Sequence, residues 1–441
     1  MAERSVPRLP EEPIDRVIGP IERFMHVEAA GGIVLLVCTV IALVLANSPL
    51  ADAYLHFWET HVGFHLGGLR VELSLEHWIN DGLMAIFFFV VGLEVKRELV
   101  LGELRDPRRA ALPLVAAVGG MVVPAGIYLA LEGGGPAARA WGVPMATDIA
   151  FVVGCMAALG PRIPHGLRIM VLSLAIADDI GSILIIAVGY SSGVNVLALA
   201  LGLAGAAAIL ALARIGVRSF GVYTLAGIFV WAAFLASGVH ATIAGVILGL
   251  LTPPRPYLDE TAFARFLDRA RAVMQGERWR REHHRAQKVR TLQRATRETV
   301  SPLEYLEATL HPWVGFVIMP VFALANAGVP LSVRALGSPI AVAIAVSLVV
   351  GKTVGIVGFS AVAVGAGVAR LPERTGWSAL TGGAMLAGIG FTMALFIAGL
   401  ALEGAALEEA KVGILVGSAV AAVLGLIVLG RALRVESAEP G

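Results

Sequence analysis

The chain has 441 residues, of which 57% are hydrophobic and 15% charged, with a mean hydropathy of +0.80 and a formal net charge of +1. A soluble domain carries roughly 45–50% apolar and about 25% charged residues, so most of this chain is not built to face water. Its two cysteines, Cys38 and Cys155, lie inside apolar stretches without CxxC or metal-ligand spacing and read as small buried hydrophobes.

A membrane-spanning helix needs roughly 20 mostly apolar residues. In chain order the candidates are 29–47, 78–101, 110–131, 141–159, 167–190, 194–213, 220–236, 238–251, 311–328, 338–360, 378–401 and 410–430. That makes about twelve spans. The segments 220–236 and 238–251 are short and barely separated, so about ten or eleven spans also fit. A charged, proline-containing leader, 1–28, precedes the first span and lacks a cleavable signal pattern. The stretch from Asp52 to Asn80 is too polar to cross, and its Trp58 and Trp78 suit an extracytoplasmic interfacial element. Its portion 52–76 is a candidate homodimer contact.

Arginine placement orients the chain. With the N-terminus inside, Arg4, Arg8, Arg16, Arg105, Arg108, Arg109, Arg162, Arg168, Arg214, Arg218, Arg370, Arg374, Arg431 and Arg434 all fall on the cytoplasmic side. Both termini are then cytoplasmic. The predicted organisation is a cytoplasmic segment 1–28, a first membrane part 29–252, a charged cytoplasmic connector 253–302, a second membrane part 303–433 and a tail 434–441. In the connector, arginines alternate with Glu260, Asp268, Glu277, Glu282 and Glu298, which fits an exposed, ion-paired helix near anionic lipid. A nucleic-acid role is not expected.

Ionisable side chains inside a membrane cost on the order of 2.5–3.5 kcal/mol even on the gentler insertion scale, so each is a functional candidate. The candidates are Asp81, Glu94, Asp148, Asp178, Asp179, His240 and Lys352. Asp178 and Asp179 lie in LAIADDIGSILIIAVGY, and neighbours on a helix diverge by about 100°. One carboxylate can therefore meet a counter-charge while the other faces a water-filled cavity. Lys352, in SLVVGKTVGIVGF, either pairs with Asp178 or snorkels to an interface. Asp148 follows Pro144 and Thr147 in WGVPMATDIAFVVG, where a helix that breaks and restarts needs a cap. A second interrupted span, AGIGFTMALFIAG, holds Gly388 and Gly390. The two breaks occupy the middle members of the oppositely oriented triplets 110–190 and 338–430, the pattern that marks a transporter's binding site. His240 reads either as a hydrogen-bonded interior histidine or as a pH-linked group. Glu94, Lys96, Arg97 and Glu98 read either as an interfacial charge cluster or as functional.

At these positions the chain resembles the bacterial NhaA-type sodium/proton antiporter family. The matching strings are NDGLMAIFFFVVGLEVKREL, PMATDIAF, LAIADDIGSI, SGVHATIAGV, LHPWVGF with FALANAGV, VVGKTVGI and GIGFTMALFIAGLA, in order from about residue 77 to 402. The resemblance implies an all-α integral membrane fold of about twelve transmembrane helices. Two inverted three-helix repeats would place discontinuous helices four and eleven across each other at mid-membrane. It implies that Asp179 is the principal sodium carboxylate with Asp178 beside it, that Lys352 pairs with Asp178 without sodium, and that Thr147 and Asp148 lie at the crossing. Asp148 would offset the positive half-helix ends and Lys352 the negative ones. Glu94, Arg97, Glu98 and Glu307 would belong to a pH-regulating cytoplasmic region, to which His240 is added as a candidate. The stretch SPLEYLEATLHPW around Glu307 departs from the family pattern, and the connector 253–302 looks longer than usual.

The expected activity is electrogenic exchange of cytoplasmic sodium, and lithium, for external protons by alternating access in a bacterial inner membrane, with no cofactor and no enzymatic step. Two titrating groups, Asp179 with either Asp178 or Lys352, would permit two protons per sodium. The alternative reading is a sodium-coupled solute symporter of the same fold. An intramembrane aspartyl protease is disfavoured because adjacent carboxylates diverge.

Overall fold

Apolar runs this long leave backbone amides no solvent partner, so the segment must satisfy its own N–H and C=O groups by forming a helix. The computed structural model describes residues 28–66, 69–135, 137–191, 193–217, 219–275 and 285–436. In order these are α1 (Glu28–Ala46), α2 (Ala51–Glu59), strands β1 (His61–Leu66) and β2 (Leu69–Ser74), α3 (Leu75–Val100), α4 (Pro107–Glu132) and, after a 3-10 segment Ala138–Met145, α5 (Ile149–Leu159). Next come α6 (His165–Gly189), α7 (Val196–Ile215), α8 (Phe220–Ser237), α9 (Thr242–Leu251), α10 (Glu260–Gln275) and α11 (Arg285–Arg297). The chain closes with α12 (Pro302–Asn326), α13 (Val333–Leu336), α14 (Pro339–Gly365), α15 (Trp377–Ala387), α16 (Phe391–Ala401) and α17 (Gly404–Glu436).

Among the described residues, nine helices are long and apolar enough to cross a membrane, or up to eleven if the bent pairs α1–α2 and α15–α16 each count as one span. The shorter apolar helix α9 adds to these. The predicted segment 238–251 shrinks to α9 because Gly238 takes φ 77 and ends α8, a left-handed cap that glycine adopts without strain. The predicted segment 311–328 starts earlier, at Pro302, because Ser301 accepts from the Glu304 amide and proline suits the first helical position.

The all-α expectation holds throughout the spanning segments. Element 52–76 differs: it contains α2 and an antiparallel hairpin in which His61 pairs with Ser74 and Leu66 with Leu69. Its apolar residues alternate on both sides of a Gly67–Gly68 pair, the period of a hairpin.

The helices are apolar on the outside as well as the inside. On α1, Leu35, Thr39, Ala42 and Ala46 are buried, while Ile33, Leu36, Val37, Val40, Ile41 and Val44 form an exposed stripe. Water would penalise that stripe, whereas lipid tails accept it. Inside, contacts rely on small residues. A Cβ on Gly119 would lie 2.3 Å from the Gly355 carbonyl oxygen, and one on Gly355 would lie 2.1 Å from that of Gly119. α4 and α14 thus meet backbone to backbone. A Cβ on Gly351 would meet Pro124 Cα at 2.8 Å, so the contact brackets Lys352 and fixes its depth.

Candidate functional site

The site forms where two helices break. After the 3-10 segment, Ala146 and Asp148 are extended and α5 starts at Ile149. α15 stops at Ala387, α16 starts at Phe391, and the two are bent by 44°. The two breaks touch. The Asp148 amide donates to the Ile389 carbonyl at 2.7 Å, and a Cβ on Gly390 would lie 3.2 Å from the Ala146 carbonyl oxygen. A side chain at Gly390 would therefore push the crossing apart.

Each break exposes unpaired amides at one helix start and unpaired carbonyls at one helix end. Asp148 serves both starts. Its Oδ1 accepts from the Phe151 amide of α5 at 3.2 Å. Its Oδ2 accepts from the Thr392 amide of α16 at 3.1 Å and from the Thr392 hydroxyl. One buried carboxylate thus caps two helices that point their positive ends at it. Ser418 of α17 adds a hydroxyl that accepts from the Phe391 amide at 3.1 Å.

Thr147 and Lys352 serve a carbonyl end. Lys352 Nζ donates to Thr147 Oγ1 at 2.8 Å and to Asp178 Oδ2 at 2.5 Å. Thr147 Oγ1 lies 2.8 Å from Asp178 Oδ2 and 2.9 Å from the Ala387 carbonyl at the end of α15. A hydroxyl has one proton, so it donates to one of these acceptors at a time while accepting from the ammonium. Lys352, Asp178 and Thr147 are all fully buried, which rules out snorkelling for Lys352. A π-helical turn, Ser347–Gly351, immediately precedes Lys352 on α14 and rotates it relative to a regular helix.

Asp179, one residue on, takes no part in this network. It is 3% exposed, and its Oδ1 has no hydrogen-bond partner among the described residues; the same holds for Asp178 Oδ1 and the buried Ser182 hydroxyl. It lies within electrostatic reach of Glu94, Asp178, Asp148 and Lys352. A buried carboxylate oxygen without a donor, within electrostatic reach of three other acids, can be satisfied by a cation or a proton.

The charged residues near the start of α12 form a second group. Arg97 of α3 pairs with Glu307 and lies 4.0 Å from Glu98, and Glu98 Oε2 accepts from the Glu103 amide at 3.1 Å. Glu94 is within electrostatic reach of Arg97, Glu98 and Glu307. His240 stands apart from them, between α8 and α9, with Nε2 2.9 Å from the Tyr190 carbonyl oxygen.

Two backbone groups of the site carry no local signal in the sequence. Ala387 and Ile389 act through backbone carbonyls, which no side-chain pattern announces. Asn80 and Asn326 exchange amide hydrogen bonds of 3.2 and 2.9 Å between the start of α3 and the end of α12. Both lie in strings singled out above, NDGLMAIFF and FALANAGV, yet nothing local pairs residues 246 positions apart.

Comparison with known proteins places this architecture. A family model described as "Na+/H+ antiporter 1" matches residues 22–429. A protein named Na(+)/H(+) antiporter NhaA from Rhodopirellula baltica is 54% identical over 418 residues, covering 95% of each chain. One of the same name from Rhizobium meliloti is 52% identical over 425 residues, covering 96% of this chain and 97% of its own. A third, Na(+)/H(+) antiporter NhaA 2 from Acidiphilium cryptum, is 50% identical over 423 residues, covering 96% and 94%. With buried acids and a buried lysine gathered where two apolar helices break, in a multi-pass membrane architecture, the chain belongs to the Na+/H+ antiporter 1 family.

Proposed function

We propose that this chain exchanges cytoplasmic sodium for external protons across a bacterial inner membrane, by alternating access and with net charge movement. One observation carries the reading: Asp179 is a buried carboxylate whose Oδ1 has no hydrogen-bond partner among the described residues, beside an Asp178 already engaged by Lys352 and Thr147. A carboxylate holds a sodium ion or a proton, rarely both, so the two compete for Asp179. Sodium drawn to Asp179 also attracts Asp178, and a loosened Asp178 leaves Lys352 free to release a proton. That gives two protons per sodium, and the membrane potential then drives the cycle. Lithium, a smaller cation of equal charge, uses the same oxygens.

The reading takes the twelve helical segments as spans, with 110–190 and 338–430 as inverted repeats whose broken middle members cross at the site. Such crossings let one bundle rock against another around a fixed midplane site. The pairing of Arg97 with Glu307, with Glu94 and Glu98 nearby, supports a pH-regulating role for that cytoplasmic group. Element 52–76, with its hairpin, is the proposed homodimer contact.

The test is Asp179→Asn in proteoliposomes with a sodium gradient imposed. The expected result is a folded, inserted protein without sodium-driven proton flux, because Asp179 Oδ1 has no hydrogen bond to lose. Normal flux in that variant overturns the assignment. Co-transport of an organic solute with sodium, without counter-moving protons, would establish the symporter instead.

A further inference from the structure

The stretch of the sequence richest in arginine is the connector between α9 and α12. Residues 253–302 hold twelve basic and six acidic side chains, whereas the whole chain nets only +1. The positive excess is concentrated here, and the rest of the chain is net negative.

The connector is tied at its root. The Tyr257 and Leu258 amides both donate to the Glu298 carbonyl, at 3.1 and 3.0 Å, and the Leu303 amide donates to the Pro253 carbonyl at 3.3 Å. It thus leaves the end of α9 and enters the start of α12 at one level. At its first turn Asp259 accepts from the Ala262 amide at 2.6 Å and the Thr261 hydroxyl at 2.8 Å. These hydrogen bonds hold its carboxyl below the usual aspartate range, so α10 keeps a charged cap.

α10 is two-faced. Ala262, Phe263, Phe266 and Ala270 are half-buried, while Arg265, Arg269 and Arg271 are exposed. Leu267, four residues before Arg271 and on the same face, is 45% exposed, and Tyr257 beside the root is 69% exposed. The sequence of α11, RAQKVRTLQRATR, contains five basic residues and no acid. Of these, Arg290 is exposed, whereas Arg297 is already placed 4.8 Å over the Tyr305 ring. The exposed side chains thus flank the half-buried face of α10, Arg265 and Arg269 on one side and Leu267 and Arg271 on the other, beyond a root tied where one apolar helix ends and the next begins. Such flanks match a lipid interface, where the stems enter the acyl boundary and the guanidinium groups stay with phosphate. A nucleic acid would satisfy the arginines but not Leu267.

We propose that α10 and α11 dock on the anionic phospholipid headgroups of the leaflet at which α9 ends. Arg265, Arg269, Arg271 and Arg290 bind phosphate, and Tyr257 and Leu267 enter the boundary beneath. The test is amide hydrogen exchange of the full chain in lipid nanodiscs of phosphatidylcholine alone and of an equal mixture with phosphatidylglycerol. Both leaflets of a disc are alike, so the result does not depend on the orientation of the chain or on ion exchange. Exchange in α10 and α11 slows in the mixture, and the slowing disappears at high salt. Arg265→Gln, Arg269→Gln and Arg271→Gln each weaken docking about fivefold. The three Arg→Lys replacements retain it, because headgroup attraction needs only point charge. Exchange in α6 serves as the folding control. Equal exchange in the two lipids overturns the proposal. So does slowing that survives the triple Gln variant, or that appears only with two copies per disc, which would mean a second chain is the partner.

Discussion

Lys352 and Asp178 make the sharpest test of the site, because among the described residues neither has another charge partner in hydrogen-bond range. The contact is 2.5 Å and both side chains are 0% exposed. Removing one partner of such a pair orphans the other, at a cost of about 3–5 kcal/mol. Unfolding entropy of about 2.1 cal/mol/K per residue, applied to a chain of this length, converts that cost to a fall in Tm of roughly 3–5 °C. Lys352→Met and Asp178→Asn should each show it in detergent. The double variant should lose less than the two singles together, since the second change removes the charge that the first orphaned. Thr147 lies within hydrogen-bond distance of both groups and will retain part of the coupling in either single variant, so Thr147→Val in the same background reports its share. Charge counting in proteoliposomes completes the experiment. Lys352→Arg keeps a cation that does not deprotonate and should move fewer charges per sodium. Strictly additive losses of Tm would refute the pair, and an unchanged charge count would make Lys352 a structural cation only.

Two further outcomes follow from the same geometry. Asp148→Ala uncaps α5 and α16 together, at about 1 kcal/mol per cap, and should lower Tm by more than Thr392→Val, which removes one donor only; equal losses would show that the carboxylate does not join the two helices. At the α4–α14 contact, Gly355→Ala should cost about 1–3 kcal/mol by forcing a Cβ against the Gly119 carbonyl, while Gly358→Ala on the same helix, with nothing within 4 Å, should be neutral. Melting curves of both variants check this, and indistinguishable values would mean that the helices do not meet at glycine.

Local chemistry in the sequence determined which residues could matter and roughly where each helix runs. Long apolar runs must be helices in lipid, because no other segment satisfies its own backbone there. Charges at membrane depth stand out one by one, so Asp148, Asp178, Asp179 and Lys352 were legible, as were breaks at Thr147 and at Gly388 and Gly390. Several strings in one order carry the family resemblance, and apolar residues alternate with period two on both sides of Gly67 and Gly68, where the hairpin forms. Tertiary structure alone decided the partners. Nothing near Lys352 in the chain says that it meets Asp178, 174 positions away, with Thr147 between them. Nothing near Asp148 says that one carboxylate caps α16 as well as α5, or that the carbonyls of Ala387 and Ile389 join the site. These contacts join segments far apart in the chain, as when Gly119 and Gly355 let α4 and α14 approach beside Lys352, and a close approach between distant segments leaves no periodicity in either one.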